Sequence, residues 1–143
     1  MANVKMGFEG KIYFSATTGS TAATLLENTK DITYNLEVEK GNTTVRGDSS
    51  APPIETEDVT IRKVSIEWTM INDTTDTALA ALLTAVYAGS GIALRLKDYS
   101  SGKGFDGDCT ATVSRGKPLN GEQTLQFTAT PSRSYGRAPS LYV

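Results

Sequence analysis

A change of hydrophobic period inside one short stretch constrains this chain more than any other feature. In Val64–Met70, VSIEWTM, the residues Val64, Ile66, Trp68 and Met70 are apolar and those between them are polar. A period of two puts one face of a strand in a core and leaves the other in solvent. A few residues on, Leu79, Leu82, Leu83 and Val86 fall at i, i+3, i+4 and i+7, the stripe of an amphipathic helix. Asp73 stands where an N-cap is needed, and Asp76 three residues later takes the acid position of a capping box. Gly89 and Gly91 supply the φ > 0 positions that end helices. A strand therefore feeds the chain's one clear helix.

The remaining apolar pattern has period two. Phe8, Ile12 and Phe14 predict a strand over Met6–Ser15, bent at Gly7 and Gly10. The small polar run Ala16–Ala23 predicts a loop, Leu25 and Leu26 a short strand, and Asn28–Asp31 a turn. Ile32, Tyr34, Leu36 and Val38 then alternate as a second clear strand. Past the helix, Ile92, Leu94 and Leu96 make another strand, and Ser100–Gly107 a turn-rich connection. Cys109, Ala111 and Val113 mark the next strand, and Leu125, Phe127 and Ala129 the last, which Pro131 ends. Asn120-Gly121 between these two is a hairpin signal. Half-buried alternating strands imply antiparallel sheets, a β-sandwich or open barrel with one flanking helix. At 143 residues this is a single domain spanning 1–143.

Two segments do not fit that core. Lys40–Asp58, KGNTTVRGDSSAPPIETED, has Val45 and Ile54 as its only sizeable apolar side chains, and it is long for a connection inside a domain. Such a segment is functional or disordered. Ser132–Val143 is an irregular tail with Tyr135, Leu141 and Tyr142 as anchors.

Chemistry is constrained by what the chain lacks. It has no histidine, which removes the commonest general base and metal ligand and every Ser-His-Asp arrangement. One cysteine allows neither an internal disulfide nor a Cys-rich metal site, and Cys109 alternates with core residues. Asp106-Gly107-Asp108 lacks the further oxygens of a calcium loop and reads as a polar turn. Gly102-Lys103-Gly104 lacks the phosphate-loop spacing and reads as another turn. The tripeptide Arg46-Gly47-Asp48 and the glycosylation sequons at Asn42 and Asn72 are chance matches in a chain with no signal-peptide core. No catalytic, cofactor or metal site is expected. Net charge is −2, with no basic patch for reading nucleic acid and no apolar run long enough to cross a membrane. A soluble protein of a reducing cytoplasm is expected.

The faces opposite the core are unusually rich in small polar residues. Thr110, Thr112, Ser114, Thr124, Gln126 and Thr128 line two strands, and Thr33, Asn35, Glu37 and Glu39 a third. A polyanion slides past such a face without sticking, but threonine's preference for strands accounts for it equally well.

The order of these features resembles the tail tube, or major tail, proteins of long non-contractile phage tails. The resemblance is carried by KDITYNLEVEKGNTTVRGDSSAPP, then VSIEWTMINDTTDTALAALLTAVYAGSGIALRLKD, then GFDGDCTATVSRGKPLNGEQTLQFTATPS, and it covers Met6 to Ser132. It implies a non-enzymatic virion protein, assembled in the host cytoplasm into hexameric rings that stack into a tube for DNA. On that basis Thr43, Thr44, Val45, Arg46, Pro52, Pro53 and Ile54 belong to an extended inter-subunit loop over 40–58. Tyr135, Leu141 and Tyr142 belong to a C-terminal arm over 132–143. Glu37, Glu39, Thr110, Thr112, Gln126 and Thr128 are candidates for the lumen, though Lys63, Arg95 and Lys97 leave open which sheet face turns inward. A tape-measure protein and a tail terminator are the implied partners, with no specific DNA binding and no membrane anchor. The alternatives are a contractile-tail inner tube, a type VI secretion ring protein, a tail terminator or a monomeric β-sandwich binding module.

Overall fold

The computed structural model of the protein describes residues 4–19, 21–45, 52–133 and 139–143. Seven strands lie among them: β1 (Lys11–Ser15), β2 (Thr24–Leu25), β3 (Thr29–Asn42), β4 (Glu57–Ile71), β5 (Ile92–Lys97), β6 (Asp106–Gly116) and β7 (Thr124–Pro131). The helix α1 (Thr77–Tyr87) joins β4 to β5. All strand pairs are antiparallel, in the order β2-β1-β5-β6-β7-β4-β3.

The two ends of that order, β2 and β3, are separated in sequence by residues 26–28 alone. Four Cα steps reach at most ~15 Å, so the sheet must curl until its ends approach. The amide of Leu26 donates to the Ile12 carbonyl at 3.0 Å on one side, and the amide of Ile71 to the Asn28 carbonyl at 3.1 Å on the other. The result is an open barrel.

Inside it the alternation does what the sequence predicts. Ile66, Trp68 and Met70 on β4 are fully buried, as are Leu125 and Phe127 on β7. Trp68 lies opposite Phe127 in register, and their rings stack 5.2 Å apart at 13°. Leu79, Leu82 and Ala85 bury the inner face of α1 against β5 and β6, while Leu83 and Val86 are half-buried. Across the seam, Tyr34 of β3 meets Phe105 at 6.0 Å and donates from its hydroxyl to the Leu141 carbonyl at 3.0 Å.

Several boundaries differ from the sequence reading. The first strand begins only at Lys11; Gly7–Glu9 is a 3-10 turn closed by the Met6 amide on the Glu9 carboxylate at 2.7 Å, and Phe8 is 80% exposed. The turn at Asn28–Asp31 is shorter, because Thr29 already pairs with Met70. The helix cap is Asp76, whose carboxylate accepts from the amides of Ala78 and Leu79; Asp73 instead closes a turn on the amide and hydroxyl of Thr75. Gly89 has φ +73°, but Gly91 does not adopt a positive φ. Asp106-Gly107-Asp108 is strand rather than turn, because Asp106, Gly107 and Asp108 pair with Arg95, Leu94 and Ala93 of β5. Asp108 is fully buried, accepting the Gly19 amide. The β6–β7 connection has seven residues, 117–123, not a two-residue hairpin turn, with only Gly121 at positive φ.

Candidate assembly surface

β3 and β4 are far longer than the core requires. Their pairing continues past Leu36 and Val64 to Asn42 and Glu57, so both ends of the expected irregular segment Lys40–Asp58 are strand. β7 pairs with β4 only from Ile66 to Ile71. Beyond that point β3 and β4 stand as a two-stranded ribbon whose outer edges have no neighbouring strand among the described residues. Val64 is the last buried residue of β4, and seven further residues carry the ribbon about 24 Å away from it.

The ribbon's surface is apolar where solvent would favour charge. Directly opposed residues share a face, so Leu36 with Val64 and Val38 with Arg62 extend the core face outward. Leu36 is 49% and Val38 42% exposed; Val59 and Ile61 are exposed to a similar degree. A register shift between Glu39 and Lys40 marks a bulge at Thr60, whose hydroxyl donates to the Glu39 carbonyl at 3.1 Å. Glu39 and Lys63 form an ion pair at 2.5 Å that, with Glu37 nearby, pushes the lysine's pKa up.

At its far end the ribbon is held by threonines. The Thr43 amide donates to the Thr56 carbonyl at 2.9 Å, the two hydroxyls meet at 2.8 Å, and the Thr56 amide donates to the Thr44 hydroxyl at 2.9 Å. Val45, Pro52, Pro53 and Ile54 are exposed, Ile54 by 81%. Arg46 and Tyr135 lie outside the described residues. The C-terminal residues sit on their own chain: Ser140 bridges to Asp106, Val143 exchanges backbone hydrogen bonds with Gly104, and Leu141 packs against the core. Tyr142 remains exposed, with Lys103 5.8 Å from its ring.

The polar residues singled out from the sequence converge on one sheet face. Thr112 lies opposite Thr128, Thr128 opposite Glu67, and Glu67 opposite Thr33, a row across β6, β7, β4 and β3. Thr110 opposite Thr130 and Ser114 opposite Gln126 form rows on either side. Glu37 and Glu39 continue the same face onto the ribbon, where Lys63 opposes Glu37.

Sequence reasoning placed Leu36 and Val38 on a buried face and overlooked Val59 and Ile61. The signal was present: apolar positions are odd at Val59 and Ile61 and even from Val64 to Met70, and the bulge sits at that break of phase.

No protein-family model and no curated protein matches this sequence. Solved structures do. The chain superposes on a subunit from the tail of an empty gene transfer agent particle, refined with C6 symmetry, with a TM-score of 0.73 at 15% identity. That match covers 96% of this chain and 98% of the other. The fold is that of a tail tube subunit. A chain from the virion of a native gene transfer agent matches at 0.71 and 10% identity, covering 96% and 99%. The SPP1 tail tube matches at 0.69 and 15%, covering 96% of this chain and 80% of its own. The tail tube fold thus accounts for nearly the whole length, including the strands that outrun the core.

Proposed function

We propose that this protein is a structural, non-enzymatic virion subunit that self-assembles into six-membered rings stacked as a phage-type tail tube, a conduit for DNA. The observation that carries the reading is the ribbon of β3 and β4. An isolated two-stranded ribbon is marginal in water, and open apolar strand edges invite pairing with other chains. Assembly removes both costs by giving each edge and each exposed Leu36, Val38, Val59 and Ile61 a neighbour. The six-fold symmetry of the gene transfer agent tail supports a ring of six. In this reading residues 1–143 form one tube domain, the far end of the ribbon from Thr43 through Ile54 meets other subunits, and Tyr142 contributes from the C-terminal arm. The threonine-rich face from Thr110 and Thr112 through Gln126 and Thr128 to Glu37 and Glu39 lines the lumen. Phosphates find little positive charge there to hold them. A tape-measure protein inside the tube and a terminator at its end complete the set of partners.

Electron micrographs of the concentrated, negatively stained protein test this directly. Rings with six-fold views, or tubes built from them, are the expected result. A compact monomer at every concentration and on seeding would falsify the proposal and favour a monomeric binding module.

A further inference from the structure

The seam where the curled sheet fails to close is a groove of about 1410 Å³. β3 from Thr29 to Tyr34 forms one wall, and residues around Phe8, Lys11 and Ile12 another. Aromatic rings are concentrated there: Phe8, Tyr34, Tyr99, Phe105 and Tyr142 all line it. So does an uncompensated charge pair. Lys11 of β1 lies directly opposite Lys97 of β5, an arrangement of like charges that costs stability unless something acidic sits beside it. The Lys97 ammonium lies 5.5 Å from the Tyr13 ring and the Lys5 ammonium 4.3 Å from that of Tyr99. Glu27, Asp31 and Asp98 also line the groove, while Lys30 is committed to Glu122 and Lys5 to Glu9. None of the ion pairs among the described residues uses Lys11 or Lys97.

We infer that this groove receives the ribbon segment Pro52–Asp58 of a second copy of the chain. This rests on the reading that the ribbon reaches another subunit, and names the surface it reaches. Three properties of the segment, PPIETED, match the groove. Adjacent prolines are stiff, lack amide donors and pack on aromatic walls at low entropic cost, as in other proline-recognising grooves. Ile54 is 81% exposed and finds apolar surface beside Ile12, Leu25 and Leu96. Glu55, Glu57 and Asp58 bring the negative charge that the Lys11–Lys97 pair calls for. Within its own chain the segment's hydrogen bonds, among the described residues, go only to Gly41–Thr44 of the same ribbon. Tip and groove are different surfaces, so the contact is heterologous, and its repetition builds rings or filaments rather than a closed pair.

Charge exchange tests it. The double variants Glu55→Lys with Glu57→Lys, and Lys11→Glu with Lys97→Glu, keep exposed positions charged and leave the buried core untouched. Melting and far-ultraviolet spectra of each should match the native chain. Each variant alone should need at least about tenfold more protein to assemble, because like charges then meet at every contact. An equimolar mixture should recover the native threshold, since reversed tips fit reversed grooves and native tips fit native grooves. Assembly of either variant as readily as the native chain, or no recovery on mixing, overturns the inference while leaving the tube reading intact. A native chain that never assembles overturns both. As a readout independent of the variants, a synthetic PPIETED peptide should shift the Tyr99 and Tyr142 resonances of the native chain, and a scrambled peptide should not. Equal responses to the two peptides overturn the inference.

Discussion

Cys109 shows how far a single residue's role can be settled by its alternation. It shares a face with Ala111 and Val113, and the structure buries it completely. Burial, with the Asp108 carboxylate adding to it, pushes the thiol from its ordinary value of 9.0 up to about 12. The neutral thiol is therefore the form the fold selects. Its contribution is fully present below about pH 9 and is lost as the pH rises through about 12. At pH 8 a thiol-specific reagent should leave the folded protein unmodified and label it stoichiometrically in denaturant; rapid labelling of the native state would show that the strand opens locally. Trp68 was equally legible, because one period-two stripe can put it nowhere but the core. Its neighbour was not: nothing local says that Phe127, across an intervening 58 residues, provides the ring it stacks on.

Among the elements, the helix is the case where local rules offered two answers. Asp73 and Asp76 both suit an N-cap, and the sequence spacing favoured Asp73. The fold chooses Asp76 because Asn28, in the short link between β2 and β3, donates to its other carboxylate oxygen at 2.9 Å. Replacing Asp76 with Ala should cost about 1 kcal/mol in denaturant titrations, and Asp73→Ala clearly less. Equal losses would mean that the cap is shared. Asp73 is exposed, and the hydroxyl and amide of Thr75 hold its pKa below the ordinary carboxylate value. That small contribution is present above the ordinary range and disappears as the pH falls through the depressed value. The ribbon is the element the sequence understated. Backbone pairing extends strands through Lys40–Asn42 and Glu57–Thr60, where the side chains are polar or mixed and carry no alternation to detect. Strand formation there is driven by the partner strand, which a reading of side-chain period does not see.

At the scale of the whole molecule, stability and assembly should separate. The core is confined to the curled sheet and α1, and the ribbon's exposed side chains add little to it. Val38→Lys together with Val59→Lys should change unfolding free energy by no more than about 0.5 kcal/mol per site, as for other exposed positions. The same pair should abolish rings and tubes in micrographs. A large loss of stability would place the ribbon in the subunit's own fold. What the sequence by itself determined is everything that depends on near neighbours: the strand faces, the single helical stripe, the absence of histidine chemistry and the polar character of the outer face. Only the tertiary structure decided how those pieces close. The short β2–β3 link forces the ends of the sheet together and opens a groove at the seam, which no local pattern encodes. It also shows that β4 outruns β7, leaving a bare ribbon. Side-chain period reports which way a residue faces, whereas exposure depends on whether another strand or subunit lies there to meet it.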